Sequence, residues 1–224
     1  MRFAYPELNL DFEFDENFPT VVVIEDKKLF SQTVFDAWNQ LNGYQGNLML
    51  SDNNKLLKFD KQCDVIMNPF AIDFNSKKIL SKIYDDLESF GKDTCLEQII
   101  QLNGELVTLL DELSQDANYP ITFDLELDLK GLMKLYHVRV DEYDEDVLSL
   151  LISYVKLLRR VMSIKTILFV NLKTFFSRNQ ITELYTACRY EEVAVVDLES
   201  FDFGKAFVDE HYIIVDKDLC YIEV

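Results

Sequence analysis

Short runs of β-branched residues alternate with helical patterns in this chain, and this alternation restricts its fold more than any other feature. Residues 20–24 (TVVVI) and 166–171 are apolar runs of strand length, as expected for strands buried on both faces. Phe30, Val34 and Trp38 follow the first run at helical spacing. Strands that alternate with helices form a mostly parallel sheet with helices on its faces. The sequence therefore predicts an α/β fold.

The middle of the chain carries more helix than the faces of such a sheet can accommodate. Long amphipathic patterns fill most of the stretch between residues 76 and 164, with a short strand predicted at 137–140. We expect residues 1–75 and 165–224 to form an α/β head that resembles a degenerate nucleotide-binding scaffold. Residues 76–164 are expected to form an inserted, mainly helical leg with a short β element.

Residues 123–129 (FDLELDL) alternate apolar and acidic side chains with a period of two, which is typical of a half-buried strand. On such a strand Asp124, Glu126 and Asp128 would share one face, with neighbours about 7 Å apart. Carboxylates placed in this way can remain in solvent, pair with basic side chains, or bind a hard cation such as Ca²⁺. The residues alone leave these three alternatives open.

The formal net charge of −18 favours solubility and opposes general electrostatic attraction to nucleic acid or anionic lipid. Any contact with DNA must therefore depend on local basic clusters, because phosphate charge dominates the affinity of proteins for nucleic acid. A cluster of this kind is more often a solvated helix surface than a binding site. Three such clusters occur in the sequence: Lys77, Lys78 and Lys82; Lys130, Lys134 and Arg139; and Lys156, Arg159, Arg160 and Lys165.

Motifs for catalysis are missing from the sequence. The turn after the first strand, residues 25–28 (EDKK), contains no glycine and is no phosphate-binding loop. His211 has acidic neighbours, Asp209 and Glu210, and is expected to form salt bridges at a strand start. We therefore expect a protein that is not an enzyme. The cysteines have no metal-binding spacing and are expected to be reduced core residues of a cytoplasmic protein: Cys63, Cys95, Cys188 and Cys220.

Several segments, taken in order, resemble one protein family over nearly the whole chain. Residues 72–76 (IDFNS) begin a helix that reaches DLE at 86–88, and residues 124–128 read DLELD. Further similarity lies in residues 24–31, 167–171 and 207–212. Together these segments resemble the ring-forming adaptation protein of type II-A CRISPR systems, which is needed for spacer acquisition.

The resemblance implies a homotetrameric ring of α/β heads and helical legs that encircles double-stranded DNA. Such a ring prefers free DNA ends, binds independently of sequence, and neither cleaves DNA nor uses ATP. The expected partners are the CRISPR integrase complex and the effector nuclease, and Ca²⁺ is expected to stabilise the assembly. An acidic protein-binding module, or a decoy that mimics DNA without binding it, remains the alternative. The resemblance implies these metal ligands: Asp124, Glu126 and Asp128, with Asp141 and Asp144 as further candidates.

Overall fold

A computed structural model describes residues 1–53, 55–141, 146–205 and 209–223. The chain divides into two compact units. Unit 1 comprises Met1–Asp73 and Glu142–Val224, and unit 2 comprises Phe74–Asp141.

The described residues form strands and helices in the following order. The strands are β1 (Arg2–Tyr5), β2 (Leu10–Glu13), β3 (Thr20–Ile24), β4 (Met49–Asp52), β5 (Lys55–Leu56), β6 (Cys63–Ile66), β7 (Thr166–Val170), β8 (Ala194–Glu199), β9 (His211–Val215) and β10 (Tyr221–Glu223). The helices are α1 (Lys27–Leu41), α2 (Phe59–Gln62), α3 (Lys77–Thr94), α4 (Leu96–Gln115), α5 (Leu129–Leu135), α6 (Val147–Met162), α7 (Leu172–Phe175) and α8 (Arg178–Tyr190), with a 3₁₀ turn at Pro6–Leu8.

The main sheet of unit 1 has six strands in the order β10-β9-β3-β8-β7-β6. All neighbouring pairs are parallel except β9 and β10. Every residue of β3, β7 and β8 is buried, because helices or the second sheet cover both faces. These observations confirm the predicted α/β fold with a mostly parallel sheet. Unit 1 also takes in α6, which the sequence analysis assigned to the leg.

A second, antiparallel sheet in the order β2-β1-β4-β5 completes unit 1. Its apolar side chains, among them Phe3, Phe12 and Leu50, share one core with Val22 and Val196 of the main sheet. Burying a side chain of this size stabilises the fold by about 1.5–3 kcal/mol. This core therefore holds both sheets of unit 1 together.

Helix α1 begins directly after Asp26, which caps it. The carboxylate of Asp26 accepts hydrogen bonds from the backbone N–H groups of Lys28 and Leu29, each at 2.9 Å. This satisfies two donors that the first turn of a helix leaves without a partner. On the inner side of α1, Asp36 is buried and accepts a hydrogen bond of 3.0 Å from the hydroxyl of Tyr5.

The predicted strand at residues 123–129 is wrong. Residues 123–128 form no strand, and Leu129 begins α5 with Asp128 at its N-cap position. The backbone carbonyl of Leu125 accepts a hydrogen bond of 2.9 Å from the side-chain amide of Asn103 instead of joining a ladder. A strand needs a neighbouring strand to pair its backbone groups, and the local alternation of residues cannot reveal whether such a partner exists.

The predicted strand at 137–140 is wrong for a related reason, because side chains take the place of a partner strand. The amide of Asn75 donates to the carbonyl of Val140 at 3.1 Å and accepts from the N–H of Val140 at 2.8 Å. The hydroxyl of Tyr84 donates to the carbonyl of Val138 at 2.8 Å. The segment is thus held firmly without being part of a sheet.

The cysteines differ in burial. Cys63 and Cys188 are buried, as predicted, but Cys95 is half-buried and Cys220 is exposed. The prediction of core positions is therefore wrong for Cys220, which follows the turn before the short strand β10. Burial raises the pKa of the Cys188 thiol to about 12, which keeps it protonated and unreactive.

Candidate nucleic-acid interface

Unit 2 gathers basic side chains around two adjoining recesses. The first has a volume of about 600 Å³, and its lining includes Lys134, His137 and Arg139. The second has a volume of about 430 Å³, shares Lys134 with the first, and adds Lys77 and Lys130. Four of the residues predicted to contact DNA therefore line one continuous basic region, which we call the basic recess.

The chain around the basic recess is fixed by the contacts of Asn75 and Tyr84 with residues 138–140. His137 immediately precedes this segment and has φ of 51°, a left-handed conformation that is uncommon for residues other than glycine. Because the neighbouring backbone is anchored, His137 and Arg139 project from a preformed turn, and Lys134 lies just before it in the last turn of α5. Preorganisation of this kind lowers the entropy that is lost when a ligand binds.

The cations of the recess differ in how far carboxylates neutralise them. Lys130 forms ion pairs with Asp85 at 2.6 Å and Glu88 at 3.1 Å, and these hydrogen bonds raise the pKa of Lys130. Among the residues that the structure describes, neither Lys134 nor Arg139 forms an ion pair. Lys77, which also lines the recess, likewise forms no ion pair with a described residue. Lys77, Lys134 and Arg139 are therefore better able than Lys130 to attract an anion.

The other predicted DNA contacts of unit 2 lie on α3. Lys77 and Lys78 are exposed at the start of the helix. Lys82 forms an exposed ion pair with Asp86 at 2.8 Å, and pairs of this kind contribute little to stability because solvent screens them. Their role in DNA binding stays a prediction.

The third predicted cluster lies in unit 1, where carboxylates form ion pairs with two of its four members. Arg159 pairs with Glu192 at 3.1 Å, and Arg160 pairs with Glu191 at 3.2 Å. The Nε of Arg159 also donates to the backbone carbonyl of Glu191 at 3.0 Å. These contacts join α6 to the end of α8. The two remaining members of the cluster are exposed: Lys156 and Lys165.

The predicted metal ligands that the structure describes lie on the surface. Asp124, Glu126, Asp128 and Asp141 are all exposed, and Asp144 lies outside the described residues. No three carboxylate, imidazole or thiol side chains in the described ranges are arranged to hold a metal ion. The described part of one chain thus offers no ready-made set of the six to eight oxygen ligands that Ca²⁺ takes.

Comparison with models of known protein families identifies the family of this chain. The model of the family described as CRISPR-associated protein (Cas_Csn2) matches residues 40–219. This match covers most of the chain and parts of both units. The chain belongs to the Cas_Csn2 family. The family predicted from the sequence is confirmed, and this Cas_Csn2 member has a role in CRISPR adaptation and defence.

Over the ranges that the structure describes, no helix of this Cas_Csn2 member is both long enough and apolar enough to span a membrane. The cytoplasmic location stays a prediction.

The structure also contains a buried ionic cluster in unit 1 that the sequence analysis missed. The ammonium of Lys173 lies 2.9 Å from the carboxylate of Glu210 and donates to the carbonyl of Gly204, also at 2.9 Å. The side chains of Lys173 and Glu210 are only 3% and 0% exposed. Asp197 and Glu199 complete the cluster from one face of β8, and both are fully buried.

Burial controls the protonation of the two acids on β8. Loss of solvent raises the pKa of Asp197 to about 6, although Lys173 opposes the shift. Loss of solvent and the neighbouring charge of Asp197 raise the pKa of Glu199 to about 8. Glu199 therefore retains a proton at neutral pH. The one signal in the sequence was the pair of acids at positions 197 and 199, inside an otherwise apolar strand.

Proposed function

We propose that this Cas_Csn2 protein binds double-stranded DNA during spacer acquisition, without sequence preference and without catalysis. In this proposal four copies form a ring that encircles the duplex and loads at free ends. The CRISPR integrase complex and effector nuclease are its partners. The observation that carries the proposal is the basic recess, where Lys134 and Arg139 lie at an anchored segment without ion-pair partners among the described residues.

A ring explains how a protein with a net charge of −18 can bind a polyanion. One basic recess is a weak phosphate site, but rotational symmetry repeats it around a central hole. Each phosphate that a cation neutralises adds about 0.9 to the dependence of log affinity on log salt concentration. Cations that contact phosphates carry no base information, so binding is independent of sequence.

Assembly is supported by the exposed apolar side chains of α4. None of its 20 residues is buried, although half-exposed leucine and isoleucine side chains extend along its whole length. Large exposed apolar surfaces of this kind usually mark sites of protein contact. The following α4 side chains are at least 40% exposed: Leu96, Ile100, Leu102, Leu109, Leu110 and Leu113.

Ca²⁺ belongs to the proposal as an ion held between chains. Asp124, Glu126 and Asp128 are exposed and form no ready-made ligand set in the described part of one chain, so carboxylates of neighbouring copies would complete the oxygen ligands that Ca²⁺ requires. Asp141 and Asp144 are further candidate ligands. When bound, Ca²⁺ would offset the repulsion between acidic subunits.

The alternative is an acidic protein-binding module or DNA mimic, which the net charge of −18 by itself would favour. The two functions predict different binding to a linear duplex of about 30 base pairs and to a closed circle of the same sequence. The proposed ring should bind the linear duplex in Ca²⁺ and release it at high salt. Absence of binding to either DNA in any buffer would refute the ring and favour the mimic.

Charge reversal tests the basic recess itself. The double variant Lys134→Glu/Arg139→Glu should bind linear duplex at least about tenfold more weakly at 0.1 M salt, with a smaller salt dependence. A matched control reverses two exposed cations of unit 1, Lys61 and Lys217, which gives the same change in net charge. If the two double variants bind equally, the recess is not the DNA contact.

A further inference from the structure

Three aromatic side chains on the outer side of α1 form an exposed, ordered row. The rings of Phe35 and Trp38 have centroids 6.1 Å apart and planes that differ by 15°. The ring of Tyr44 continues the row at 6.4 Å from Trp38, with planes that differ by 22°. Phe35 is 59% exposed, Trp38 42% and Tyr44 66%. We call these three residues the aromatic row.

Backbone contacts hold the row in place. The N–H of Tyr44 donates to the carbonyl of Asn39 at 2.9 Å, which turns the chain back along α1. Gly43 makes this turn possible with φ of 79°, a conformation that costs glycine little. The side-chain amide of Asn42 donates to the carbonyl of Trp38 at 2.8 Å. The row is therefore preformed and loses little entropy when another surface covers it.

The aromatic row lies in a stretch of this strongly acidic chain that carries few acidic residues. Residues 27–47 contain two lysines and a single acid, Asp36, whereas the whole chain has 40 acidic residues in 224. Asp36 is 9% exposed and points inward to the hydroxyl of Tyr5. An exposed surface with aromatic side chains and few charges has the composition of the central part of a protein interface.

From these observations we infer that the aromatic row is a contact between two copies of this chain. Two subunits of charge −18 repel each other over most of their surfaces. They can approach closely where carboxylates are absent, and the aromatic row offers such a place. A two-fold axis would bring the row of one copy against the same row of another.

The inference rests on the proposed tetramer, which needs more than one contact per subunit. A closed assembly of four chains built from two-fold contacts requires two different surfaces on each chain. The exposed apolar side chains of α4 supply one surface in unit 2, and the aromatic row supplies the other in unit 1. Fully buried aromatic side chains cover about 150–250 Å² each. Three half-exposed rings therefore offer about 300 Å² per copy, the central part of an interface of about 800 Å² per partner.

A nucleic acid strand fits the row less well. Bases stack on exposed ring faces beside a track of cations, but these rings already partly cover one another. The two lysines, Lys27 and Lys28, lie at the opposite end of the helix from Trp38, about 15 Å away along its axis.

The single tryptophan of the chain, Trp38, reports directly on this surface. We expect the Trp38 emission of the full-length protein to move to shorter wavelength as the concentration rises from nanomolar to micromolar in Ca²⁺. Sedimentation should follow assembly from the same samples. Assembly without any change in Trp38 emission would overturn the inference.

Two sets of variants test the contact. Phe35→Ser/Trp38→Ser should halve the mass of the assembly, from about four to about two times the chain mass of 26.3 kDa. The control Tyr190→Ser removes a lone aromatic side chain of α8 that is 89% exposed and should leave the mass unchanged. Ser31 lies one turn before Phe35, so Ser31→Asp should weaken association at low salt by at least about tenfold. The uncharged control Ser31→Asn should not.

The outcomes separate the inference from the proposed function. A parent protein that remains monomeric would refute the proposed ring, and the inference would fall with it. A tetrameric parent together with a tetrameric Phe35→Ser/Trp38→Ser variant would refute only the aromatic row as a contact between copies. That surface would then belong to another protein or to single-stranded nucleic acid. Quenching of the Trp38 emission by a labelled oligothymidine would show that single-stranded nucleic acid binds there.

Discussion

Replacing Lys173 by methionine is expected to destabilise unit 1 strongly. Methionine keeps most of the apolar stem but removes the ammonium that lies 2.9 Å from Glu210 and 4.8 Å from the centre of the Tyr212 ring. The carboxylate of Glu210 would then be buried without its cation. Loss of one partner from a buried ion pair typically costs about 3–5 kcal/mol.

Solvent cannot replace the lost partner, because the side chains of Lys173 and Glu210 are only 3% and 0% exposed. A buried carboxylate without a partner is costly in the folded state. We therefore expect Lys173→Met to lower the free energy of unfolding at pH 7 by about 3–5 kcal/mol.

Urea unfolding followed by circular dichroism measures this loss. The double variant Lys173→Met/Glu210→Gln provides the control, because a neutral amide needs no cation and should recover at least half of the lost stability. A loss below about 1 kcal/mol in the single variant, or no recovery of stability in the double variant, would refute the electrostatic argument.

Three other predictions concern single features of the fold. Because Glu199 has a raised pKa of about 8 in the folded protein, the folded state binds more protons than the unfolded state between about pH 4.3 and pH 8. Stability should therefore fall as the pH rises through this range. The variant Glu199→Gln should show a weaker dependence of the melting temperature on pH. The same dependence in the variant and the parent would contradict this expectation. Asp26→Ala should cost about 1 kcal/mol in urea unfolding, whereas Asp26→Asn, which can still cap α1, should cost less; equal losses would show that the cap contributes nothing. A third variant replaces Asp124, Glu126 and Asp128 by asparagine. Ca²⁺ should raise the melting temperature of the parent protein but not of this variant. Equal rises in melting temperature in both proteins would exclude these three residues as ligands.

The main sheet of unit 1 could be predicted because its signals are local. The run TVVVI of β3 has no charged residue before Glu25, and Asp26 stands directly before a helical pattern. These residues determine a buried strand and a capped helix with little dependence on distant parts of the chain. The same holds for β7, whose apolar run is continuous enough to identify it as a buried strand.

The errors arose where distant residues decide the structure. Residues 123–129 have the periodicity of a strand, but no partner strand pairs with them in the described chain. Val140 is held by Asn75, which is 65 positions away. The pair of Lys173 and Glu210 joins residues 37 positions apart. Contacts across such distances depend on the completed fold and leave no local pattern.

The basic recess was predictable only in part, because some of its contacts join residues that are distant in the sequence. Lys130, Lys134 and Arg139 are close in the sequence, so their grouping on one surface could be expected. The ion pairs that neutralise Lys130 come from α3, more than 40 positions earlier, and could not be foreseen. The sequence therefore identified the cluster but not which of its members remain without an ion pair.

The attachment of Val140 to Asn75 has a consequence for variation in chain length. One amide group satisfies both backbone groups of Val140 and, with the hydrogen bond from Tyr84 to Val138, fixes the return of the chain to α3. A β-ladder would lose its register on the insertion of one residue. Here residues can be added or removed between α4 and α5 while the same two bonds close the loop, so this region of the polypeptide is open to evolutionary change without loss of the neighbouring turn.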